Sequence, residues 1–320
     1  MNNTEYAYAV ACVRVKETEL ISQSFTEQLI NAASFDEMRQ ILIDKGFSGF
    51  EMTTDASVAL SSYMNDTWNY LEEIAPDKKK LEFLIVKNDF HNLKAIIKGI
   101  TVGTDGRGFC MKPCIIDIDE MYDAVTSKNF DLLPKWIADS AKNGYGLLTS
   151  TMDGRLLDMF LDKKSMECML EFAKEDDFSK RLANETAALT DIKIAFRLAA
   201  VNADETLYEY AFCECEGIDT EELKKAAMRG TGQLVTYLSG TQYAFLTESE
   251  VAAAVIERRC DNYITEMLDE AKRISFGIEP LIAYYCAREG EAKNIRIIAS
   301  AKYADMPQSV IRERMRDMYV

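Results

Sequence analysis

The sequence predicts an all-α chain, and three observations predict it. Gly and Pro are sparse, 15 and five in 320 residues, and they gather at breaks. The stretches between the breaks are rich in Ala, Leu, Met, Glu and Lys, all good helix formers. Helix starts are legible as capping boxes, in which a short polar side chain accepts from an orphan backbone N–H and a Glu three residues on reaches back.

Taken in order, the boxes are Ser34 with Glu37, Asp117 with Glu120, Asp219 with Glu222 and Thr247 with Glu250. Pro76, Pro113, Pro134, Pro280 and Pro307 sit at expected loops or first helical turns, where a missing N–H costs nothing. The segment Gly99–Pro113 carries Gly99, Gly103, Gly106 and Gly108 and reads as a loop and a domain boundary. Asn143-Gly144 suits a helix C-cap as well as a hairpin. Leu281, Ile282, Tyr285, Ala292, Ile295 and Ile298 recur near 3.6-residue spacing and predict a helix with one apolar stripe. Strand signals are confined to two short β-branched runs, Val10–Val15 and Ile115–Ile118, each beside strong helix formers.

Two landmarks recur. A helix followed by a break and an aromatic ends at Phe47, Tyr145 and Tyr243, spaced 98 and 98 residues apart. Asp89-Phe90-His91-Asn92-Leu93-Lys94 matches Glu291-Ala292-Lys293-Asn294-Ile295-Arg296, and a worn copy begins at Ile192, with Asp191 displaced by one and Ala195 in the Asn position. A unit of about 100 residues repeated three times is the physical reading, longer than ordinary solenoid repeats of about 20–50 residues. The expected domains are 1–108, 109–208 and 209–320, with the option that the terminal helices share one lobe.

Charge and composition exclude several functions. Lys and Arg number 37 against 53 Asp and Glu, a net charge of −16. No basic run exceeds Lys78-Lys79-Lys80, so neither nucleic acid nor a bare anionic membrane has a surface to bind. No apolar stretch approaches the ~18 residues of a membrane span. Residues Met1–Glu5 show no basic start or apolar run, and the eight scattered Cys are expected to be reduced thiols in a cytoplasmic chain.

Catalytic constellations are incomplete. His91 is the single His, and its counterparts in the other copies are Ile194 and Lys293, which suits a structural residue better than a catalytic base. Cys110, Cys114, Cys213 and Cys215 lack the usual zinc-ligand spacing. The glycines of Gly103–Gly108 are followed by Phe109, where a phosphate loop needs Lys-Ser/Thr, so a flexible connector is the plainer reading. Asp66, Asn69 and Glu73 would share one helix face, as magnesium ligands of terpene cyclases do, yet the partner Asp-rich stretch is missing; Asp176-Asp177 lies downstream without a further Asp. No cofactor is expected. An all-α adaptor or scaffold and, behind it, a magnesium-dependent cyclase-like enzyme are the alternatives from other classes.

The motifs resemble one known family. Tyr6, Tyr8, Arg14 and Glu17 look like the N-terminal signature of the C subunit of bacterial and archaeal V/A-type ATPases, relatives of the eukaryotic d subunit. Asp89, His91, Asn92 and Lys94 are similar to its central motif, and Glu291, Asn294 and Arg296 to its C-terminal part. Lys16 and Phe47 depart from the family pattern. The resemblance implies a funnel of three similar helical domains about a pseudo-threefold axis, with no catalysis and no nucleotide. It implies a peripheral position in which the chain caps the membrane proteolipid ring and holds the axle subunits D and F, with no direct lipid anchor. Because Asp89, Asn92 and Lys94 recur, a fold-holding role is expected of them, with the Asn amide satisfying backbone and the acid and base pairing to neighbouring helices.

Overall fold

The computed structural model describes residues 3–248 and 251–320, and every regular element among them is helical. The chain divides into two compact units, Met1–Lys79 with Glu257–Val320, and Lys80–Ile256. The terminal helices therefore belong to one unit. In chain order the α-helices are α1 (Ala7–Glu17), α2 (Gln23–Asn31), α3 (Phe35–Lys45), α4 (Gly49–Met52) and α5 (Ala56–Ile74). Then come α6 (Val86–Val102), α7 (Ile118–Thr126), α8 (Lys135–Thr151), α9 (Gly154–Ala173), α10 (Asp177–Ala200) and α11 (Glu205–Ala211). The last are α12 (Thr220–Met228), α13 (Thr231–Leu238), α14 (Ala253–Met267), α15 (Glu279–Tyr303) and α16 (Gln308–Arg314).

Side-chain caps start many of these helices, as the residue types require. Ser34 accepts the Glu37 N–H at 3.2 Å, and Glu37 reaches back to the Ala33 N–H at 2.6 Å, one residue before the cap. Asp117 and Asp219 accept the Glu120 and Glu222 N–H groups at the starts of α7 and α12, at 3.3 and 3.0 Å. The reciprocal half of the third box is absent, because Glu222 turns to Lys225 at 2.7 Å instead. Glu250, the partner proposed for Thr247, lies outside the described residues. Gly46 ends α3 at φ 104°, a left-handed conformation in which a Cβ would be strained.

The order of elements is itself periodic. The helices α2, α7 and α12 are nine residues each. The helices α5, α9 and α14 begin at 56, 154 and 253, spaced 98 and 99 residues apart. Long helices follow each of these: α6, α10 and α15. A short helix comes next, the 3₁₀ turn Gly106–Phe109, α11 or α16, and then an extended strap.

Four expectations are corrected. Asn143-Gly144 ends nothing, because α8 continues to Thr151. A Cβ on Gly144 would lie 3.2 Å from Leu157 and 3.3 Å from Leu161, so this Gly serves close packing of α8 on α9. Tyr145 consequently sits mid-helix against Phe130, whereas Phe47 and Tyr243 are buried just past helix ends. Gly99 lies inside α6, and a Cβ there would meet the Gly106 backbone N at 2.6 Å, so the Gly103–Pro113 stretch is laid tightly along the helix and is no loose connector. Finally, α15 has more than one apolar stripe: Leu281, Ala283, Tyr284, Tyr285, Ala287 and Ala292 are all buried, which fits a helix surrounded by others.

Candidate functional site

The motif residues converge on the long helices α6, α10 and α15, each of which grips the strap that follows it; α6 and α10 do so at two places along the strap, and α15 holds Arg316 and, from elsewhere in the chain, Ile21. On α6, Asn92 accepts the Met111 N–H at 2.7 Å and donates to the Met111 carbonyl at 3.0 Å. Asp89 accepts the Ile116 N–H at 2.8 Å and shares the Ile115 N–H between both oxygens at 3.1 Å. Both side chains are fully buried. Buried backbone N–H groups need partners, and an extended strap has no helical ones of its own, so these side chains supply what the strap's own backbone cannot. Burial pushes the Asp89 carboxyl up to about 6, against the pull of the Ile116 and Ile115 N–H groups.

On α15 the Asn294 amide accepts the Arg316 N–H and donates to the Arg316 carbonyl, both at 3.0 Å. Glu291 takes the Ile21 N–H from the other end of the chain and also accepts from Tyr63. The Arg288 guanidinium lies 3.2 Å from Glu291, donates to the Tyr63 hydroxyl and reaches the Tyr284 hydroxyl at 2.9 Å. Burial raises the Glu291 carboxyl above its ordinary value, while Arg288, the Ile21 N–H and Tyr63 hold it down.

On α10 the Asn position does not fall at Ala195. The residue gripped on each strap is the second past its short helix: Met111, Cys213 and Arg316. Asp191 fills that seat on α10, accepting the Cys213 N–H at 3.0 Å, and Asn184 makes the second grip on the Glu216 N–H at 2.8 Å. The worn copy is therefore out of register by one helical turn, Asp191 standing where Asn92 and Asn294 stand. A sequence signal for the straps exists: Phe109-Cys110 before Ile116-Asp117 parallels Phe212-Cys213 before Ile218-Asp219.

The remaining motif residues bind helices together. Arg14 makes two 2.8 Å bonds to Glu17 and donates to the carbonyls of Ala271 and Ile274 at 2.6 and 2.9 Å, closing the end of a 3₁₀ turn onto α1. Tyr319 donates to Glu17 at 3.4 Å. Tyr6 is the N-cap residue of α1, and Tyr8 is exposed. Lys94 pairs with Asp162 at 2.5 Å, tying α6 to α9, and His91 faces the Phe109 carbonyl at 3.0 Å. Arg296, the counterpart of Lys94, makes no ion pair among the described residues. It lines a cavity of about 500 Å³ with Thr54–Ser57 and Tyr303.

Reactive chemistry finds little support. No group of three or more His, Cys, Asp or Glu is placed to hold a metal among the described residues. Asp66, Asn69 and Glu73 are exposed on α5, and Asp176 is occupied in capping α10. All eight Cys are free, and burial pushes the Cys110 thiol up to about 11 and those of Cys114, Cys168 and Cys215 up to about 12, the direction that disfavours the nucleophilic thiolate. No helix of the described residues is long and apolar enough to cross a membrane.

Residues 9–314 match the ATP synthase (C/AC39) subunit family. The chain belongs to this family. It is similar to the C subunit of the V-type sodium ATPase of Enterococcus hirae, 22% identical over 98% of this chain and 99% of that one. It is also similar to the C subunit of the V-type ATP synthase of Thermus thermophilus, 24% identical over 97% and 98% of the two chains. The C subunit of the A-type ATP synthase of Methanocaldococcus jannaschii is 22% identical over 96% of this chain and 85% of its own. Within it, the motif residues Asp89, Asn92 and Asn294 hold strap backbone to their helices, and Glu291 holds the Ile21 N–H.

Proposed function

We propose that this chain is the non-catalytic coupling subunit of the central stalk in a rotary V/A-type ATPase. It joins the axle, made of the D and F subunits, to the membrane proteolipid ring and passes torque between ion translocation and ATP synthesis or hydrolysis. It sits on the cytoplasmic face and reaches the membrane through the ring. The observation that carries this reading is the family match over residues 9–314, end to end with C subunits of similar length.

The periodic helix order supports three similar domains, arranged as a funnel about a pseudo-threefold axis. The double grips suit the mechanical job. A coupler must transmit load without yielding, and close-packed helices resist compression. Fixing each strap to a buried helix by charge-assisted or amide hydrogen bonds removes the slack that a connector would otherwise add.

Co-migration decides the matter. A tagged chain expressed in its own cells should hold the axle subunits and the proteolipid ring through purification in mild detergent. Recovery of the chain alone, with an intact ATPase left behind, would refute the assignment.

A further inference from the structure

One buried acid stands where the other two strap grips have an amide. Asn92 and Asn294 each meet their strap residue twice, accepting its N–H and donating to its carbonyl. Asp191, fully buried, makes only the first contact, through Oδ2 to the Cys213 N–H. Its Oδ1 is also buried and has no hydrogen-bond partner among the described residues. An amide carries a donor and an acceptor, and an ionised carboxylate only accepts. A protonated carboxyl again carries both.

The geometry points to a protonated Asp191 that stands in for an amide, making the strap 212–218 a proton-operated latch on α10. With the proton on Oδ1 the side chain can donate toward the strap as Asn92 and Asn294 do. Once the proton leaves, the donor is lost and an unpaired charge sits in the interior, so the strap's hold on α10 weakens. The titratable groups that act on this seat and its two strap thiols are Lys163 and Glu167 from α9, Glu185 from α10, and Cys213 and Cys215 from the strap. The buried residues of α12 and α13 are apolar. Lys163 favours the ionised form but makes no ion pair with Asp191, and burial prevails, pushing the carboxyl up to about 8.

The direction of the pH effect follows from this. The folded chain holds the proton more tightly than the unfolded one, where Asp titrates near 3.8. Stability from the latch is complete below that value and drains as pH rises toward about 8, where the loss levels off.

Asp191→Asn installs the amide permanently. Wild type and variant are unfolded in denaturant across mildly acidic to mildly alkaline pH. The ratio of the wild-type to the variant unfolding constant should rise by up to about tenfold per pH unit and then flatten near pH 8. In mild alkali the Cys213 amide should exchange with solvent faster in wild type than in the variant. Lys163→Gln should move the flattening to higher pH. Parallel pH profiles with a constant offset, or equal protection of the Cys213 amide, would overturn the latch. Should the variant fail to fold, carbon NMR of wild type labelled at its Asp carboxyls gives the answer. A resonance titrating near pH 8 is expected, and the absence of any Asp titrating above about pH 7 overturns the proposal.

Discussion

The grips on α6 and α15 place an acid and an Asn at the same spacing, yet they keep the acid buried by different means. Asp89 on α6 is met by two backbone N–H groups and, among the described residues, by no ion-paired cation. Glu291 on α15 is met by one backbone N–H, a tyrosine hydroxyl and the Arg288 guanidinium. Peptide dipoles and a paired cation both replace lost water, but they fail differently. Peptide donors belong to the strap and leave with it. A cation on the same helix stays, and removing it strands a charge.

The largest expected effect breaks the cationic version. Arg288→Leu leaves Glu291, 1% exposed, without its ion pair and should cost about 3–5 kcal/mol in the denaturant unfolding of the chain. An effect under about 1 kcal/mol would mean that the hydrogen bonds alone sustain Glu291, erasing the contrast with Asp89. Next come the amides. Asn92→Ala and Asn294→Ala should each cost about 1–3 kcal/mol, since each leaves one strap N–H and one carbonyl without a partner. An unchanged midpoint combined with loss of the D and F subunits or the ring would reassign these residues from fold to interface. The smallest effect separates two glycines of α8. Gly146 has open space around it, so Gly146→Ala should stabilise by about 0.5–1 kcal/mol. Gly144→Ala should give no such gain, because its Cβ would press on Leu157 and Leu161.

Those glycines also mark where the sequence was and was not readable. Helix content and the starts of α3, α7 and α12 were legible, because capping is a local transaction between residues three apart. The role of Gly144 was not, since a glycine that admits a neighbouring helix looks the same in sequence as one that ends its own. The acid-x-x-Asn motif on α6 and α15 was legible as a repeat, but the backbone groups its side chains hold lie 19 to 270 residues away and leave no local trace. The α10 copy was read one turn out of register because Asp191 sits in an Ala- and Leu-rich run with no neighbouring Asn to fix the seat. Pairing the straps through Phe109-Cys110 and Phe212-Cys213 sets Cys110, not the gripped Met111, beside Cys213 and points to Ala195 again, so the connectors carry no better register. The two-unit division was legible only as the option of a shared terminal lobe, because an assembly of both chain ends has no signature in either end alone.

That assembly has a consequence for synthesis. The segment Lys80–Ile256 is contiguous and forms one compact unit. The Ile21 amide must wait for Glu291, which is made 270 residues later. At about 5–20 residues per second that is roughly a quarter of a minute to a minute of translation. During this interval α1, α2, α3 and α5 exist without α15, which packs against all four. The middle of the protein is thus built to mature first, and its beginning is the part that nascent-chain chaperones would be called on to shield.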